Sequence, residues 1–312
     1  MGRIVFLSPF VRTEISGGIK TAYRHAELLS EMGFDACVYQ PEGAPNWFET
    51  RAKVLRSLNA PATGDVLVFP EAINGPLVEL ARAKTPAKKV LFCQAQYYAL
   101  FNAIPPDEYR TLFDRVACQS ALAKGFLERV LHLKDVALIP CFIDTALFFP
   151  REKTMQIAAI PKKLPREAAA INAVLRLKYP ELASIPWAVI ENKSEREIAD
   201  IFGRSTIVLS LPFLESFGLV PLEAMASGAI VVGFHGHGAL EYATPENGFW
   251  FPSDHIEETA DAIAHIIRGL RAKDPSILKM LEFGRATAGR YSKDAARNAL
   301  RAFYGPMISL PS

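Results

Sequence analysis

The chain has 312 residues, of which 50% are hydrophobic and 22% charged, a length and composition typical of a globular enzyme with about two domains. The formal net charge is only +2, without the large excess of basic residues that is typical of polyanion-binding proteins. A nucleic-acid partner is therefore not expected. The cysteines lack C-x-x-C spacing and indicate reduced core thiols rather than disulfides or zinc ligands; they are Cys37, Cys93, Cys118 and Cys141.

Targeting signals are not evident in the sequence. The amino-terminal run RIVFLSPF is shorter than the apolar region that a secretion signal needs before its cleavage site. No uninterrupted apolar run reaches the length that spans a bilayer. We therefore expect a cytoplasmic location without a transmembrane segment, which leaves room for peripheral contact with the inner face of a membrane.

The amino-terminal segment predicts a strand, a glycine turn and a helix. Arg3 to Leu7 is a short apolar strand, and Gly17 and Gly18 begin an amphipathic helix that runs to about Met32. Adjacent glycines expose amides and allow a diphosphate to approach the backbone closely. A tight turn without a ligand explains the pair equally well. Neither the G-x-G-x-x-G fingerprint nor a P-loop is present.

Further strand-like runs alternate with helical stretches, which predicts a parallel sheet. Ligands of such sheets lie beyond the carboxyl ends of the strands, so the loops that contain Glu71, Gln94 and Gln96 are predicted to face an acceptor. Ordinary polar loop residues are an equally good reading of the two glutamines. The runs are Ala36–Tyr39, Asp65–Phe69, Lys89–Cys93, Arg115–Cys118 and Val136–Ile139.

The second half begins with a strand, a basic turn and a helix. The stretch MQIAAIPKKLPREAAAINAVLRLKYP places Lys162, Lys163 and Arg166 where a strand ends. Cations at this place could neutralise a leaving diphosphate, whereas the alternative is a solvated basic turn.

The central feature of the sequence is SLPFLESFGLVPLEAMASG, from Ser210 to Gly228. Thr206–Leu211 is predicted to be a buried strand, followed by a loop and a helix that begins near Leu219. Pro221 is tolerated in the first helical turn. The free amides of Phe217, Gly218 and Leu219, together with the helix start, predict an anion site. Glu215 and Glu223 frame this loop, and the alternative is a surface helix with solvated glutamates.

A second polar loop, FHGHGALEY, follows the predicted strand Ala229–Gly233. His235 and His237 could suggest a metal site, but no acidic or cysteine partner stands at ligand spacing, so ordinary loop residues are the preferred interpretation. A D-x-D carboxylate pair is absent from the sequence. We therefore predict that the protein needs no metal and no other cofactor.

The block ESFGLVPLE followed by AMASGAIVV resembles the E-x(7)-E motif of retaining family-4 glycosyltransferases, and SGGIKTAYRHAELLSEMG resembles their glycine-loop helix. The resemblance implies the α/β GT-B fold, in which two Rossmann-like domains face each other across a cleft. It assigns residues 1–149 to an acceptor-side domain and 150–290 to a nucleotide-sugar domain, with a carboxyl-terminal helix at about 291–312 that packs back on the first domain.

The same resemblance assigns roles to individual residues. Glu223 would hold the ribose hydroxyls, Glu215 would contact the donor sugar, and Lys162 or Lys163 with Arg166 would balance the diphosphate. Further donor contacts are implied at Gly17, Gly18, Asn192, Lys193, Ser216, Phe217, Gly218, Leu219, Gly236 and Gly238. Many relatives carry a histidine in the loop that corresponds to Cys93–Tyr97, whereas this chain has CQAQY, which leaves the acceptor proton without an assigned base.

The sequence therefore predicts a retaining, metal-independent transfer of a sugar from a nucleotide-diphospho-sugar, with a UDP-sugar preferred, to a glycan or lipid-linked acceptor in polysaccharide biosynthesis. Two alternatives remain open. One is a GT-B sugar-nucleotide epimerase or phosphorylase-like enzyme, and the other is a non-catalytic sugar-nucleotide-binding subunit. Both motif glutamates are present, which favours the transferase over a binding subunit.

Overall fold

The computed structural model describes residues 2–308, which fall into two compact units. The first unit contains the chain up to Cys141 and the segment from Asp294 onward, and the second unit is Phe142–Lys293. Each unit has its own parallel sheet and its own hydrophobic core. Residue 1 and residues 309–312, which belong to the predicted first domain and carboxyl-terminal segment, lie outside the described residues.

The first unit is built on a seven-stranded sheet of order β3-β2-β1-β4-β5-β6-β7. Its strands are β1 Ile4–Leu7, β2 Ala36–Tyr39, β3 Lys53–Leu55, β4 Val66–Pro70, β5 Lys88–Cys93, β6 Arg115–Cys118 and β7 Ala137–Leu138. All four residues of β1 are buried, as expected for a parallel strand covered on both faces. The helices that follow these strands are α1 Gly17–Glu31, α2 Pro76–Arg82, α3 Tyr109–Leu112 and α4 Ala121–Arg129.

The last helix, α10 Lys293–Tyr304, packs against the sheet of the first unit. The guanidinium of Arg115 lies 4.3 Å from the centroid of the Phe303 ring and donates a 3.0 Å hydrogen bond to the Phe303 carbonyl. The rings of Tyr304 and Phe6 are 6.2 Å apart in an edge-on arrangement. These contacts attach the end of the described chain to strands β1 and β6.

The second unit is built on a five-stranded sheet of order β12-β11-β10-β8-β9, in which every pairing is parallel. Its strands are β8 Thr154–Ala159, β9 Trp187–Val189, β10 Ser205–Ser210, β11 Ile230–Phe234 and β12 Gly248–Phe251. Its helices are α5 Pro165–Lys178, α6 Glu195–Arg204, α7 Leu219–Ala226, α8 Ile256–Ala272 and α9 Pro275–Gly289. The predicted central strand is therefore β10, which begins and ends one residue earlier than predicted.

A half-buried lysine, Lys153, lies at the end of the second unit where β10 begins. The ammonium of Lys153 donates hydrogen bonds to the carbonyls of Phe202 (3.2 Å), Ser205 (2.8 Å) and Ser227 (2.7 Å). Burial lowers the pKa of Lys153 to about 8. Because these carbonyls lie at the carboxyl ends of α6 and α7, the cation satisfies groups that helices leave without an internal partner.

Candidate functional site

The carboxyl edge of the second sheet gathers most of the residues predicted to bind the donor. All five strands are parallel, so the loops after β8, β9, β10 and β11 leave the sheet at one edge. Glu223 lies inside α7, and Arg166 lies in the first turn of α5 rather than in the basic loop. The loops contain Lys162, Lys163, Asn192, Lys193, Glu215, Ser216, Phe217, Gly218, Gly236 and Gly238, and Leu219 begins α7.

The loop between β10 and α7 depends on unusual backbone conformations. Leu214 has φ of 51°, a left-handed value that is uncommon for a non-glycine residue. Gly218, directly before α7, has φ of 81°. A Cβ atom at position 218 would lie 3.1 Å from Glu215 Oε2 and 3.3 Å from the Tyr242 hydroxyl. Only glycine therefore fits both the conformation and the space beside Glu215.

The loop after β11 packs directly on the loop after β10. The backbones of Glu215 and His237 form an isolated parallel bridge, and His237 also has positive φ, 66°. A Cβ atom at Gly236 would lie 2.7 Å from the Pro212 carbonyl oxygen, and one at Gly238 would lie 2.5 Å from Phe217 N. Close packing of the two loops therefore explains both glycines, and their predicted contacts with a donor stay predictions.

An ion pair connects two of the predicted catalytic residues. Lys163 Nζ lies 2.6 Å from Glu215 Oε1, and the two side chains are 44% and 27% exposed. A pair with this exposure contributes little to stability, but it brings a cation to the predicted sugar-contacting carboxylate. Lys162 and Arg166 are exposed nearby in sequence, so this part of the edge has an excess of positive charge.

The two motif glutamates have different surroundings. Glu223 is only 6% exposed, within α7, whereas the side chain of Glu215 remains accessible at the edge. The amides of Gly218 and Leu219 have no hydrogen-bond acceptor within residues 2–308. An accessible carboxylate, a recessed carboxylate and free amides at a helix start are the groups that a phosphorylated, hydroxyl-rich ligand would need.

Tyr242 is a residue of this site that the sequence did not predict. Its hydroxyl donates a 2.6 Å hydrogen bond to the Gly218 carbonyl, and its ring lies 5.6 Å from that of Phe217 and 6.2 Å from that of Trp250. Burial, together with Glu215 and other neighbouring groups, raises the pKa of Tyr242 well above its usual value. The hydroxyl therefore stays protonated and remains a donor.

This hydrogen bond also fixes the direction of an amide. In a trans peptide the carbonyl and the following N–H point in opposite directions. Because Tyr242 holds the Gly218 carbonyl, the Leu219 amide of the same peptide must point away from Tyr242. Tyr242 stands beside Glu241 in the polar loop noticed in the sequence, but no spacing in the sequence indicates that its hydroxyl reaches Gly218.

The predicted residues after β9 are tied to the next helix. Asn192 has φ of 51°. Lys193 Nζ lies 2.9 Å from Glu197 Oε1, and Ser194 and Glu197 form a capping box at the start of α6. Lys193 and Ser194 lower the pKa of Glu197 to about 2. The structure thus pairs Lys193 within its own helix start rather than with the other predicted donor residues.

In the first unit, hydrogen bonds connect three of the predicted residues, Gly18, Gln94 and Glu71, at the carboxyl edge of the sheet. Gly17 and Gly18 begin α1, where the side chain of Ser16 accepts from Gly18 N at 3.3 Å. Gln94 Nε2 donates to the Gly18 carbonyl at 3.1 Å, and Gln94 N donates to Glu71 Oε2 at 2.9 Å. The donor role of Gly17 and Gly18 stays a prediction. Gln96 is buried.

Glu71 is a buried carboxyl group with an unusual pKa. Burial raises its pKa to about 7, although the amides of Gln94 and Ala95 partly oppose this shift. The side chain of Asn102 donates to the Glu71 carbonyl, and its Oδ1 accepts from Ile73 N at 2.9 Å. Glu71 therefore stands in a hydrogen-bonded junction between the ends of β4 and β5.

The predicted site coincides neither with a cluster of metal ligands nor with the cavity beside α9 among residues 2–308. Across residues 2–308, no group of three His, Cys, Asp or Glu side chains is arranged to hold a metal ion. Burial and the neighbouring His237 lower the pKa of His235. A cavity of about 480 Å³ lies beside α9, and it is lined by none of the predicted site residues; its lining includes Phe148, Phe149, Ala226, Glu282 and Arg285.

Comparison with known proteins identifies the class of enzyme. The family model described as "Glycosyl transferases group 1" matches residues 187–274, which include β10 and α7. An alpha-1,6-glucosyltransferase from Actinobacillus pleuropneumoniae serotype 7 (strain AP76) is 26% identical over 240 residues, which cover 73% of this chain and 72% of that protein. The chain is a glycosyltransferase.

Solved structures show that this glycosyltransferase has the predicted GT-B fold. A sucrose-phosphate synthase from Thermosynechococcus elongatus has a TM-score of 0.75 at 15% identity, with 98% of this chain and 99% of that chain covered. Anabaena HepE in complex with UDP-glucose has a TM-score of 0.72 at 12% identity, with coverage of 97% and 99%. No helix among residues 2–308 has the length and apolar character needed to cross a membrane.

Proposed function

We propose that this glycosyltransferase is a retaining enzyme that moves a sugar from a nucleotide-diphospho-sugar to a glycan or lipid-linked acceptor. A UDP-sugar is the proposed donor, and UDP-glucose is the first to test. The choice is supported by the UDP-glucose bound to HepE and by the glucosyl group in the name of the Actinobacillus relative. Polysaccharide synthesis in the cytoplasm, with peripheral membrane contact, is the proposed setting.

The observation that carries the proposal is the arrangement around the start of α7. Glu215 and Glu223 stand on either side of this helix start, and the amides of Gly218 and Leu219 are available to an anion. Lys163 reaches Glu215 from the loop after β8. Nucleotide-sugar donors carry the matching groups, a diphosphate between a ribose and a second hydroxyl-rich ring.

Each group then has a proposed role in the transfer. The helix start and the cations of Lys162, Lys163 and Arg166 stabilise the negative charge that grows on the diphosphate as it leaves. Glu223, recessed in α7, accepts hydrogen bonds from the ribose hydroxyls. Glu215, at the accessible edge, contacts the sugar near its transferring carbon. Electrostatic stabilisation of the leaving group is therefore the main proposed source of rate acceleration.

Transfer is proposed to proceed without a metal ion, because a helix start and three cations can supply the positive charge that a metal supplies elsewhere. Activity should then persist in EDTA. Loss of activity that magnesium or manganese restores would contradict this part of the proposal and make His235 and His237 candidate ligands. On the acceptor side, Glu71, Gln94 and Gln96 are the proposed contacts.

The decisive experiment separates the two glutamates. Glu223→Gln removes a charged acceptor for ribose hydroxyls, a loss of about 1.5–3 kcal/mol that weakens UDP binding roughly tenfold to a hundredfold. Glu215→Gln should leave UDP affinity nearly unchanged and lower kcat with UDP-glucose, because its partner is the sugar. Calorimetric titration with UDP and turnover assays measure the two effects.

Glu246→Gln is the matched control, because it makes the same chemical change at an exposed carboxylate of the same unit outside the site. It should alter neither affinity nor turnover. Equal losses of UDP affinity in both motif variants, or no loss in either, would show that the glutamates have been assigned to the wrong ligand groups. Parallel titration with ADP and GDP tests the choice of base separately.

A further inference from the structure

The segment after β5 exposes two aromatic rings at the carboxyl edge of the first sheet. Residues Gln96–Leu100 form a 3-10 turn there. Tyr98 is 57% exposed and Phe101 is 76% exposed, which makes them the two most exposed aromatic side chains among residues 2–308. Most aromatic side chains bury the larger part of their surface on folding, which makes two exposed rings this close in sequence a candidate contact surface.

The two residues stand three positions apart, Tyr98 within the turn and Phe101 directly after it. Side chains three residues apart are eclipsed in a 3-10 turn, and Phe101 N donates a 3.1 Å hydrogen bond to the Tyr98 carbonyl. Tyr98 and Phe101 are therefore joined across one turn of backbone and both are exposed; we call this pair of rings the Tyr98–Phe101 platform.

The support beneath the platform is fixed by hydrogen bonds and packing. The Tyr109 hydroxyl donates to the Ala99 carbonyl at 3.0 Å, and Asn102 donates to the Tyr109 hydroxyl at 2.5 Å. The ring of Tyr97, next to Tyr98, packs edge-on against Phe126 at 5.4 Å. Because the backbone is already ordered, a ligand that stacks on the platform would bind without a large cost in loop entropy.

Charge distinguishes between the surfaces that could cover exposed aromatic rings. Residues 94–114 contain three carboxylates, of Asp107, Glu108 and Asp114, against one guanidinium, of Arg110, and Glu108 forms an ion pair with Arg82 at 2.7 Å. Anionic membrane surfaces attract basic segments, so this acidic segment is a poor match for them. A neutral sugar ring has an apolar face of C–H groups that packs on an aromatic ring, and its binding does not require cations.

We propose that the Tyr98–Phe101 platform is a subsite that stacks a neutral sugar ring of the acceptor. The inference rests on the proposed function, because it names the class of acceptor that the transferase would use. It adds a specific contact to the loop in which Gln94 and Gln96 were the only predicted acceptor residues.

The test measures binding of the whole chain to an array of neutral and acidic oligosaccharides and to vesicles of phosphatidylcholine with phosphatidylglycerol, all with UDP present. Three double variants are compared with the unaltered chain. Tyr98→Ala with Phe101→Ala removes the rings, Tyr98→Leu with Phe101→Leu keeps apolar surface without rings, and Tyr98→Phe with Phe101→Tyr keeps both rings. Leu278→Ala with Phe283→Ala, which removes exposed apolar side chains of α9, is the matched control.

The expected result is that at least one neutral oligosaccharide binds. Its affinity should fall roughly tenfold in the alanine and leucine variants and persist in the ring-exchanged variant and the control. Vesicle binding that the leucine variant retains would overturn the proposal in favour of a lipid surface. Binding of no neutral oligosaccharide, or binding that the alanine variant does not weaken, would also overturn it.

Titration with UDP keeps this inference separate from the proposed function. The platform variants should bind UDP as the unaltered chain does, because the rings belong to the acceptor subsite. Failure of the unaltered chain to bind any nucleotide would contradict the proposed function. Loss of oligosaccharide binding with normal UDP affinity would support the platform.

Discussion

The carboxyl edges of the two sheets are held in different ways. At the edge of the second sheet, the loops after β9, β10 and β11 each contain a non-glycine residue with positive φ, namely Asn192, Leu214 and His237. Among residues 2–308, none of the other such residues lies in a loop that follows β1, β4, β5 or β6. The first edge is held instead by the side chains of Glu71, Gln94 and Asn102.

This difference indicates which edge needs the more exact geometry. Strained backbone persists only where the surrounding structure enforces it, and it concentrates at binding sites. A diphosphate requires amides in fixed directions, whereas an acceptor can be matched by side chains. This difference agrees with the proposed donor site at the second edge and the proposed acceptor site at the first.

The largest effect is expected from Tyr242→Phe, which would loosen the loop between β10 and α7 at the carboxyl edge of the second sheet. The change leaves the ring in place but removes the hydroxyl that holds the Gly218 carbonyl. A buried carbonyl without its donor costs about 1–3 kcal/mol of stability. The Leu219 amide also loses its fixed direction, so UDP affinity should fall roughly tenfold. Urea unfolding and calorimetric titration measure the two losses.

Tyr179→Phe is the control for this experiment, because its hydroxyl donates to Asp261 at 2.7 Å in the same unit, away from the loop after β10. It should leave UDP affinity unchanged. If Tyr242→Phe lowers stability but binds UDP normally, the hydroxyl supports the fold and does not direct the amide.

The second largest effect is expected from His25→Leu in the first unit, where His25 is buried within α1. Burial against Phe6 and Phe92 lowers the pKa of His25 to about 3. The unfolded chain binds a proton near pH 6.5 and the folded chain does not, so His25 lowers stability as the pH falls below 6.5. At pH 5 this loss is about 2 kcal/mol. His25→Leu should remove it.

Hydrogen exchange of first-unit amides at pH 7 and pH 5 would measure this change. The His25→Leu substitution should stabilise the protein by about 2 kcal/mol more at pH 5 than at pH 7. The same pH dependence in both proteins would mean that His25 is protonated in the folded chain.

The smallest effect is expected from Glu71→Gln at the first edge. The pH dependence that Glu71 adds to stability has the opposite sign from that of His25. The pKa of Glu71 is raised to about 7, so the folded chain holds a proton that the unfolded chain releases near pH 4.5. Glu71 therefore adds stability at low pH, and this stability is lost as the pH rises through 7. Glu71→Gln should therefore destabilise the protein by up to about 2 kcal/mol more at pH 5 than at pH 7.

In the unaltered chain the two groups offset each other between about pH 4.5 and 6.5. Glu71→Gln should consequently make acid destabilisation steeper, and combining it with His25→Leu should restore a nearly flat dependence. Urea unfolding of the single and double variants across this range measures the slopes. A Glu71→Gln protein with an unchanged slope would show that the carboxyl group is already ionised at pH 5.

The sequence predicted local features better than distant contacts. The strand β10 and the start of α7 were predicted because an uncharged run, a proline and a glycine follow one another within a few residues. The hydrogen bond between Tyr242 and Gly218 spans 24 positions, and no local pattern encodes it. The ion pair between Lys163 and Glu215 spans 52 positions, although both residues were predicted to belong to the site.

Two elements were absent from the predictions for physical reasons. Strand β3 has only three residues and pairs with one neighbour at the sheet edge, so its apolar signal is weak. Helix α9 follows α8 after Lys273, which has φ of 55°, and Pro275. These residues end one helix and begin another, and nothing in composition distinguishes the second helix from a continuation of the first.

The half-buried ammonium of Lys153 has a consequence for how the second unit unfolds. Its three hydrogen bonds join the chain just before β8 to the ends of α6 and α7. An ammonium has only three donors, and all three are used in the folded chain. The carbonyls at the ends of α6 and α7 therefore depend on the same ammonium for a partner, and displacement of Lys153 removes that partner from both helices at once. The carboxyl edge of the second sheet is thus held from the opposite end of the same strands by the hydrogen bonds of one lysine.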